Sequence, residues 1–152
     1  MKSKLLAIAI ILATTGVVSA RESWQGTFMV TAVAGTACTG EVVIGDHFIA
    51  MYTPANVSDN GPNTHLAFYR PRSAWSLRVA GLPTANETYA AMQIGSRGGF
   101  DPSSGRVLAF STAPASVVAT TPIVAINTRI SNFHNVTGCT ATIQGALVRR
   151  RD

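Results

Sequence analysis

The sequence has little charge and little sign of helix. Asp, Glu, Lys and Arg make up only 12% of its 152 residues, whereas 47% are hydrophobic. This composition excludes a disordered chain, because disordered chains combine low hydrophobicity with high net charge. Beyond residue 20, no polar-apolar pattern with helical spacing continues for ten residues. We therefore expect a compact chain built from strands.

Motifs for metal, cofactor and nucleic-acid binding are missing as well. The three histidines, His47, His65 and His134, belong to no His-Glu-x-x-His or Cys-x-x-Cys frame, so we expect exposed histidines at strand ends, with no metal and no cofactor. The glycine-rich stretch 95–105 lacks the ending of a phosphate loop. The arginine run 149–151 is typical of a solvated tail. Because stacking aromatics and a basic stripe are absent, we expect no nucleic-acid partner.

Catalytic motifs are absent too. No Gly-x-Ser-x-Gly elbow occurs, and the seven carboxylate residues fall mostly in predicted turns, so no facing pair can be nominated. Triads are recognised by geometry rather than by sequence position. A hydrolase with a long-range site of histidine and carboxylate therefore stays open as an alternative to a protein without catalysis.

The first twenty residues have the features of a secretory signal peptide. Two lysines precede the apolar run 5–13, and residues 18–20 form a small-residue cleavage site. The run is about half the ~20 residues that a membrane-spanning helix needs. We predict cleavage before Arg21, no transmembrane segment after it, and a secreted or periplasmic protein. The remaining residues, 21–152, suit one domain with one core.

Cysteine is scarce, with only Cys38 and Cys139. A zinc site or a catalytic thiol would need a histidine or a second cysteine at short spacing, and neither cysteine has one. In an exported chain, two cysteines most simply form one disulfide. We predict the bond Cys38–Cys139.

What the chain does have is alternation of period two. Runs of alternating apolar and polar residues recur about every ten residues, with turn signals between them. This pattern predicts a single all-β domain of about eight short antiparallel strands. Its phase predicts the residues that face the core: Trp24, Phe28, Val30, Ala32, Trp75, Leu77, Val79, Val124, Ile126, Ile130, Ala141, Ile143 and Leu147.

Three stretches carry more specific expectations. Val42 and Ile44 are predicted to begin a second strand. The run 48–52 is apolar at every position, which is typical of a strand that is covered on both faces or faces a cavity. Residues 95–105 are predicted to form a long hairpin connection.

The positions of the cysteines favour a particular arrangement of the strands. Cys38 lies just past the first predicted strand and Cys139 at the start of the last. Antiparallel neighbours bring two such ends side by side, within reach of a disulfide. The first and last strands would then pair and close a β-barrel. A β-sandwich is the alternative, and we favour the barrel.

The segment 23–27, Ser-Trp-Gln-Gly-Thr, places a tryptophan early on the first predicted strand. In this it resembles the Gly-x-Trp opening of lipocalin-like proteins, without the glycine that precedes the tryptophan. The resemblance implies a barrel and nothing about a ligand.

A group of aromatic and basic residues stands at a predicted turn between two strands. Tyr69, Arg70, Arg72 and Trp75 fall within seven residues, and arginine together with Tyr or Trp is enriched in recognition surfaces. We predict a binding patch here. In the alternative, Trp75 belongs to the core because it is in phase with Leu77, and both arginines are solvated.

Taken together, these features predict an exported, non-enzymatic β-barrel binding protein. Its partner would be a small apolar ligand held inside the barrel or a protein bound through the loops. A secreted hydrolase and a structural envelope protein are the alternatives. A filled interior would argue against a ligand carried inside.

Overall fold

The computed structural model describes residues 21–71, 73–82, 87–95 and 99–151. The predicted signal peptide, residues 1–20, lies outside the described residues, and so does Arg72 of the predicted patch. In the part of the chain that is described, no helix is long and apolar enough to cross a membrane.

Eight strands and two short 3₁₀ turns make up the described fold. They are, in chain order, β1 (Glu22–Ala34), η1 (Thr36–Cys38), β2 (His47–Thr53), β3 (Asn63–Arg70), β4 (Ser73–Ala80), β5 (Thr88–Gly95), β6 (Gly99–Ala113), β7 (Ile123–Ser131), η2 (Phe133–Asn135) and β8 (Thr140–Arg151).

Strands form where the sequence alternates between apolar and polar residues. On β7, every second residue from Val124 to Ile130 is buried and the residues between them are exposed. β2 alternates in the same way. Each predicted inward residue is buried except Val79, which is half-buried, and Ala32. The prediction is wrong for Ala32, which is exposed because the pairing of β1 with β8 shifts by one residue between Val30 and Ala32. The buried apolar side chains, apart from Ala55, form one cluster. The inner face of the sheet is therefore the core of the protein.

All neighbouring strands are antiparallel. Each strand pairs with the next in chain order, and β8 also pairs with β1 along the whole of β1. This last pairing is tight at Gly145 on β8, where a Cβ atom would overlap the Thr27 carbonyl oxygen and the Phe28 ring. The close approach of the two strands explains why the position is a glycine.

The predicted all-β fold of about eight antiparallel strands is confirmed, and so is the predicted disulfide. Cys38 at the end of η1 is bonded to Cys139, with their Cα atoms 4.8 Å apart. The bond joins the segment that follows β1 to the residue that precedes β8.

The strand predicted to begin at Val42 is wrong. Residues 39–46 form turns, in which Gly40 and Gly45 have φ of 79° and 96°. Such positive values interrupt an extended strand. The backbone N–H of Asp46 accordingly donates to the carbonyl of Val43 within the same segment. We call residues 39–46 the turn segment.

The long hairpin connection predicted for residues 95–105 is also wrong. β6 begins at Gly99, and Gly95 pairs with Gly99 while Gln93 pairs with Asp101. Cross-strand pairing therefore extends through a stretch whose glycine content favoured a loop, because pairing in the sheet overrides weak local propensity.

Candidate functional site

The structure divides the predicted binding patch between the two faces of the sheet. Tyr69 lies on the outer face and is 48% exposed. Trp75 is buried on the inner face, opposite Phe68 in the register, as the core alternative expects. Arg70 is half-buried at the end of β3. Of the described patch residues, Tyr69 and Arg70 thus reach the surface, and their role in binding stays a prediction.

Tyr69 belongs to an outer surface on β1, β2 and β3 that carries few charged groups. Thr27 on β1 lies opposite Ile49 on β2, and Ile49 lies opposite Tyr69 on β3. Ile49 is 55% exposed, so the apolar run of β2 is covered on its inner face only. Met29 and Met51, beside this row, are also exposed. Adjacent exposed apolar side chains mark sites of interaction when they form a continuous patch.

A groove of about 440 Å³ opens on this surface next to Tyr69. Its walls are largely apolar, and its volume is in the range of ligand-binding clefts. We call it the Tyr69 groove, and its lining residues are Thr27, His47, Phe48, Ile49, Tyr69, Arg70 and Pro71.

The outer surface continues from β1 onto β8 and β7. A second groove of about 390 Å³ lies there, lined by Met29, Gln144, Ala146 and Asn127 among others. Thr27 lines the Tyr69 groove and Met29 lines the second one. The two grooves therefore adjoin along β1.

Arg70 lines the Tyr69 groove, and its guanidinium is held on several sides. Its Nη1 lies 2.7 Å from Oδ2 of Asp46. Its Nη2 donates to the Glu41 carbonyl at 3.3 Å, and its Nε donates to Oγ of Ser73 at 3.4 Å. Its Cζ is 5.2 Å from the centroid of the Phe48 ring, a cation–π distance. A lysine could not make these contacts together, because it lacks the planar fork of donors.

His134 lies behind Arg70 at the same end of the sheet. Its Nε2 is 3.5 Å from Nη2 of Arg70, and its Nδ1 is 3.9 Å from Oε2 of Glu41. The imidazole packs against the Trp75 and Phe133 rings, with centroids 5.2 and 4.6 Å away. Only 4% of the His134 side chain is exposed. We call Glu41, Asp46, Arg70 and His134 the His134 cluster.

The backbone of η2 and the disulfide fix the position of this imidazole. Asn132 and His134 have φ of 52° and 56°, left-handed values that Asn and His adopt more readily than most residues. The N–H of Phe133 donates to the carbonyl of Cys139 at 3.0 Å, and Cys139 is bonded to Cys38. The histidine is thus anchored by the same segment that carries the disulfide.

Burial lowers the pKa of His134 below its usual value of 6.5, and the positive charge of Arg70 lowers it further. The Glu41 carboxylate, a hydrogen bond with the Glu41 backbone and the Asp46 carboxylate raise it, but the net change is downward. His134 is therefore neutral at pH 7. In the tautomer protonated at Nδ1, its Nε2 is an acceptor facing Arg70.

The expectation of exposed histidines is wrong for His134, whereas His47 and His65 are exposed. Sequence reasoning missed the His134 cluster because Arg70 and His134 are 64 residues apart and no local motif joins them. The turn residues Asn132 and Gly138, which precede Cys139, were the available signal. They mark a tight turn beside the disulfide. Among the described residues, no group of three or more His, Cys, Asp or Glu side chains is placed to hold a metal ion.

Comparison with known proteins adds no identity. No protein-family model matches the chain, and neither the curated proteins nor the solved structures provide a match. Its function is inferred from its own geometry.

Proposed function

We propose that this protein is a small exported β-barrel that binds a protein partner through the outer face of β1, β2 and β3, without catalysis. The observation that carries the proposal is the Tyr69 groove, an apolar opening on a wall with few charged groups. Exposed apolar grooves of this size are characteristic of binding sites.

The pairing of β8 with β1 supports a barrel over a sandwich. Every strand pairs with the next one, and the last pairs with the first along its whole length. A sheet joined in this way leaves no unpaired edge, whereas each sheet of a sandwich keeps two. The outer face is then a continuous wall on which a partner can rest.

Packing inside the sheet supports a partner on the outside rather than a ligand within. The inner rings contact one another: Phe68 and Trp75 have centroids 5.1 Å apart, Trp75 and Phe133 4.6 Å, and Trp24 and Tyr52 6.4 Å. An eight-stranded barrel is just wide enough for side chains to fill. Where the interior is lined by described side chains, these rings occupy the space that an apolar ligand would need.

Export is supported by two independent features. Residues 1–20 have the sequence pattern of a signal peptide. The Cys38–Cys139 disulfide is the kind of bond that persists in oxidising compartments. A secreted or periplasmic location is consistent with both.

The nature of the groove specifies the partner's contact surface. Ile49 and Tyr69 present apolar area, and Thr27 contributes no charge. A partner that inserts an apolar side chain such as Leu or Phe would gain about 1.5–3 kcal/mol by burying it. A cationic side chain would lose hydration there and meet the positive charge of Arg70.

A photo-crosslinking experiment tests the proposal. The crosslinking amino acid p-benzoylphenylalanine replaces Ile49 in one variant and Ile123 in a matched control. Both isoleucines lie on outer faces of strands, with exposures of 55% and 53%, and only Ile49 lines the Tyr69 groove. After irradiation of the producing cells, we expect a discrete protein adduct at position 49 and none at position 123.

The substitution Tyr69→Asp should abolish the adduct at position 49, because it places a charge in the groove. Circular dichroism checks that the variant remains folded. Equal adducts at positions 49 and 123, no adduct at 49, or an adduct that survives Tyr69→Asp would each contradict the proposal.

The hydrolase alternative is less well supported. The His134 cluster contains one histidine with two carboxylates, but His47 lies on the outer wall and His65 pairs with Thr53 and Arg78 elsewhere in the sheet. The imidazole of His134 is enclosed by rings and by Arg70. A general base must reach the proton that it removes, and burial keeps a substrate from this one.

A further inference from the structure

We propose that His134 regulates the Tyr69 groove: when its imidazole gains a proton, it repels Arg70, and the wall of the groove that Arg70 forms is displaced. The biological meaning of this switch rests on the proposed function, but the coupling between His134 and the groove can be measured without any partner.

Arg70 is the physical link between the two sites. It lines the Tyr69 groove and lies over the Phe48 ring, which lines the groove as well. The same guanidinium approaches Nε2 of His134 at 3.5 Å. A change in the charge of His134 therefore acts on the groove through one side chain, without rearrangement of the strands.

Protonation reverses the interaction between His134 and Arg70. A neutral imidazole offers Nε2 as an acceptor, whereas the imidazolium carries donors on both nitrogens. The imidazolium of His134 and the guanidinium of Arg70 would then be two cations 3.5 Å apart. Because the His134 side chain is only 4% exposed, water would screen their repulsion poorly. The Glu41 carboxylate, 3.9 Å from Nδ1, would attract the imidazolium. Arg70 would keep its ion pair with Asp46, so we expect it to shift rather than to leave the groove.

The charged groups that act on His134 come from two elements. The turn segment provides Glu41 and Asp46, and β3 provides Arg70. β5 and β6 also lie against η2. On β5 the titratable residue is Tyr89, whose hydroxyl donates to Glu87. On β6, Arg106 pairs in register with Ser131 of β7, and its side chain lies outside the described part of the chain.

The direction of the switch follows from this geometry and from the surroundings of the imidazole. Burial and Arg70 keep His134 neutral at pH 7, with its pKa below 6.5. The resting groove is therefore the one that forms at pH 7, and protonation of His134 below pH 6.5 converts it to the displaced form. A partner bound against Arg70 would be released or retained according to the pH.

Methyl NMR of the purified, disulfide-bonded protein tests the coupling. The ¹³C methyl signal of Ile49 reports on the groove, that of Ile123 serves as the control, and the ring ¹³Cε1 signal of His134 reports its own protonation. A second imidazole, that of His47, lines the groove, so the experiment is carried out in His47→Gln. We expect the Ile49 and His134 signals to move with one shared midpoint below pH 6.5, while the Ile123 signal stays constant.

Three further variants identify the residues that carry the coupling between His134 and the groove. In His134→Gln, the titration of Ile49 should disappear. In Arg70→Gln, His134 should still titrate and Ile49 should no longer follow it. In Glu41→Gln, both midpoints should fall together, because the Glu41 carboxylate raises the pKa of His134.

The inference is overturned if Ile49 does not move while His134 titrates, if Ile49 still titrates in His134→Gln, or if the protein unfolds before Ile49 moves. If His134→Gln does not fold, Glu41→Gln decides: a shared fall in both midpoints supports the coupling, and an unchanged Ile49 midpoint overturns it. If the coupling fails but the crosslink at position 49 still forms at pH 7, only the inference about His134 is contradicted. If the crosslink is lost while Ile49 still titrates with His134, only the proposed binding function is contradicted.

Discussion

The two ends of the sheet are held together by different chemistry. At the end where β1 begins, which we call the Glu22 end, the Glu22 carboxylate accepts two hydrogen bonds from Arg149, both of 2.7 Å. At the opposite end, the His134 end, the ion pair between Arg70 and Asp46 is joined by a buried histidine and by the disulfide. Both ends oppose an arginine to a carboxylate, but at the His134 end a buried histidine contacts the arginine, whereas His65, at the Glu22 end, is exposed.

The remaining contacts reinforce this difference. At the Glu22 end, the Trp24 indole N–H donates to the Thr121 carbonyl at 2.9 Å, and the Asn60 side chain bonds to the backbone of Glu22. None of these groups titrates near pH 7. These contacts at the Glu22 end therefore do not change with pH near neutrality, whereas the His134 end combines a covalent bond with an interaction that depends on pH.

Removal of the disulfide should have the largest effect on stability. The bond closes a loop with a sequence separation of 101 residues, and in the chain-entropy model such a loop contributes about 4–5 kcal/mol. For Cys38→Ala/Cys139→Ala we expect the melting temperature to fall by about 10–20 °C, measured by circular dichroism. Reduction of the wild-type protein should reproduce the loss. A fall of less than about 3 °C would mean that the two ends are held with similar strength by non-covalent contacts.

Truncation of Asn60 should have a smaller effect, at the other end. Its Oδ1 accepts from the Glu22 N–H at 2.9 Å, and its Nδ2 donates to the carbonyls of Glu22 and Pro54 at 2.8 and 3.0 Å. Asn60→Ala leaves these backbone groups without that partner, and we expect a loss of about 1–3 kcal/mol in the free energy of unfolding. Urea denaturation measures the loss, and Asn127→Ala, on the exposed outer face, is the control. Equal effects of the two substitutions would show that the loop after β2 does not secure this end.

Much of the fold is predictable because its signals are local. The period-two pattern around Trp24, Val124 and Ile143 specifies strands and their inner faces, and all three residues are fully buried. The disulfide follows from compartment and from the absence of other cysteines. The prediction failed at Val42 because the path of the turn segment depends on the left-handed conformations of Gly40 and Gly45, which period-two alternation does not encode.

The candidate site was much less predictable. Tyr69 and Arg70 were selected from composition, and the structure places both at the groove. The role of Arg70 as a link depends on Asp46 and His134, which reach it only after the turn segment and η2 fold over the end of the sheet. Contacts between distant loops leave no periodic pattern, so no spacing rule could find them. The apolar residues of the groove on β2 belong to the continuous apolar run 48–52 of the sequence. The sequence does not show which face of that strand is exposed.

The smallest predicted effect is the pH dependence that His134 gives to the free energy of unfolding, and it distinguishes the two ends of the sheet. The pKa of His134 is lower in the folded protein than the value of 6.5 that is usual for an unfolded chain. The unfolded state therefore binds the proton first, and the free energy of unfolding falls as the pH decreases from about 6.5 towards the folded pKa. Above about pH 6.5 both states are neutral at this residue, and it adds no pH dependence. We expect urea denaturation to show lower stability at pH 5.5 than at pH 7.5, and His134→Gln to reduce that difference.

The control for this prediction is His65→Gln. The pKa of His65 is also lowered, by burial and by the positive charges of Arg78 and Arg21, but its side chain is exposed, so water screens the interactions and its share of the acid loss should be smaller. His65 lies at the Glu22 end, since its register partner Thr53 follows Tyr52, which pairs with Trp24 near the start of β1. Asn60→Ala removes no titratable group and should lower stability equally at both pH values. If His65→Gln reduced the acid loss more than His134→Gln, the buried imidazole would not be the group that makes its end of the sheet depend on pH.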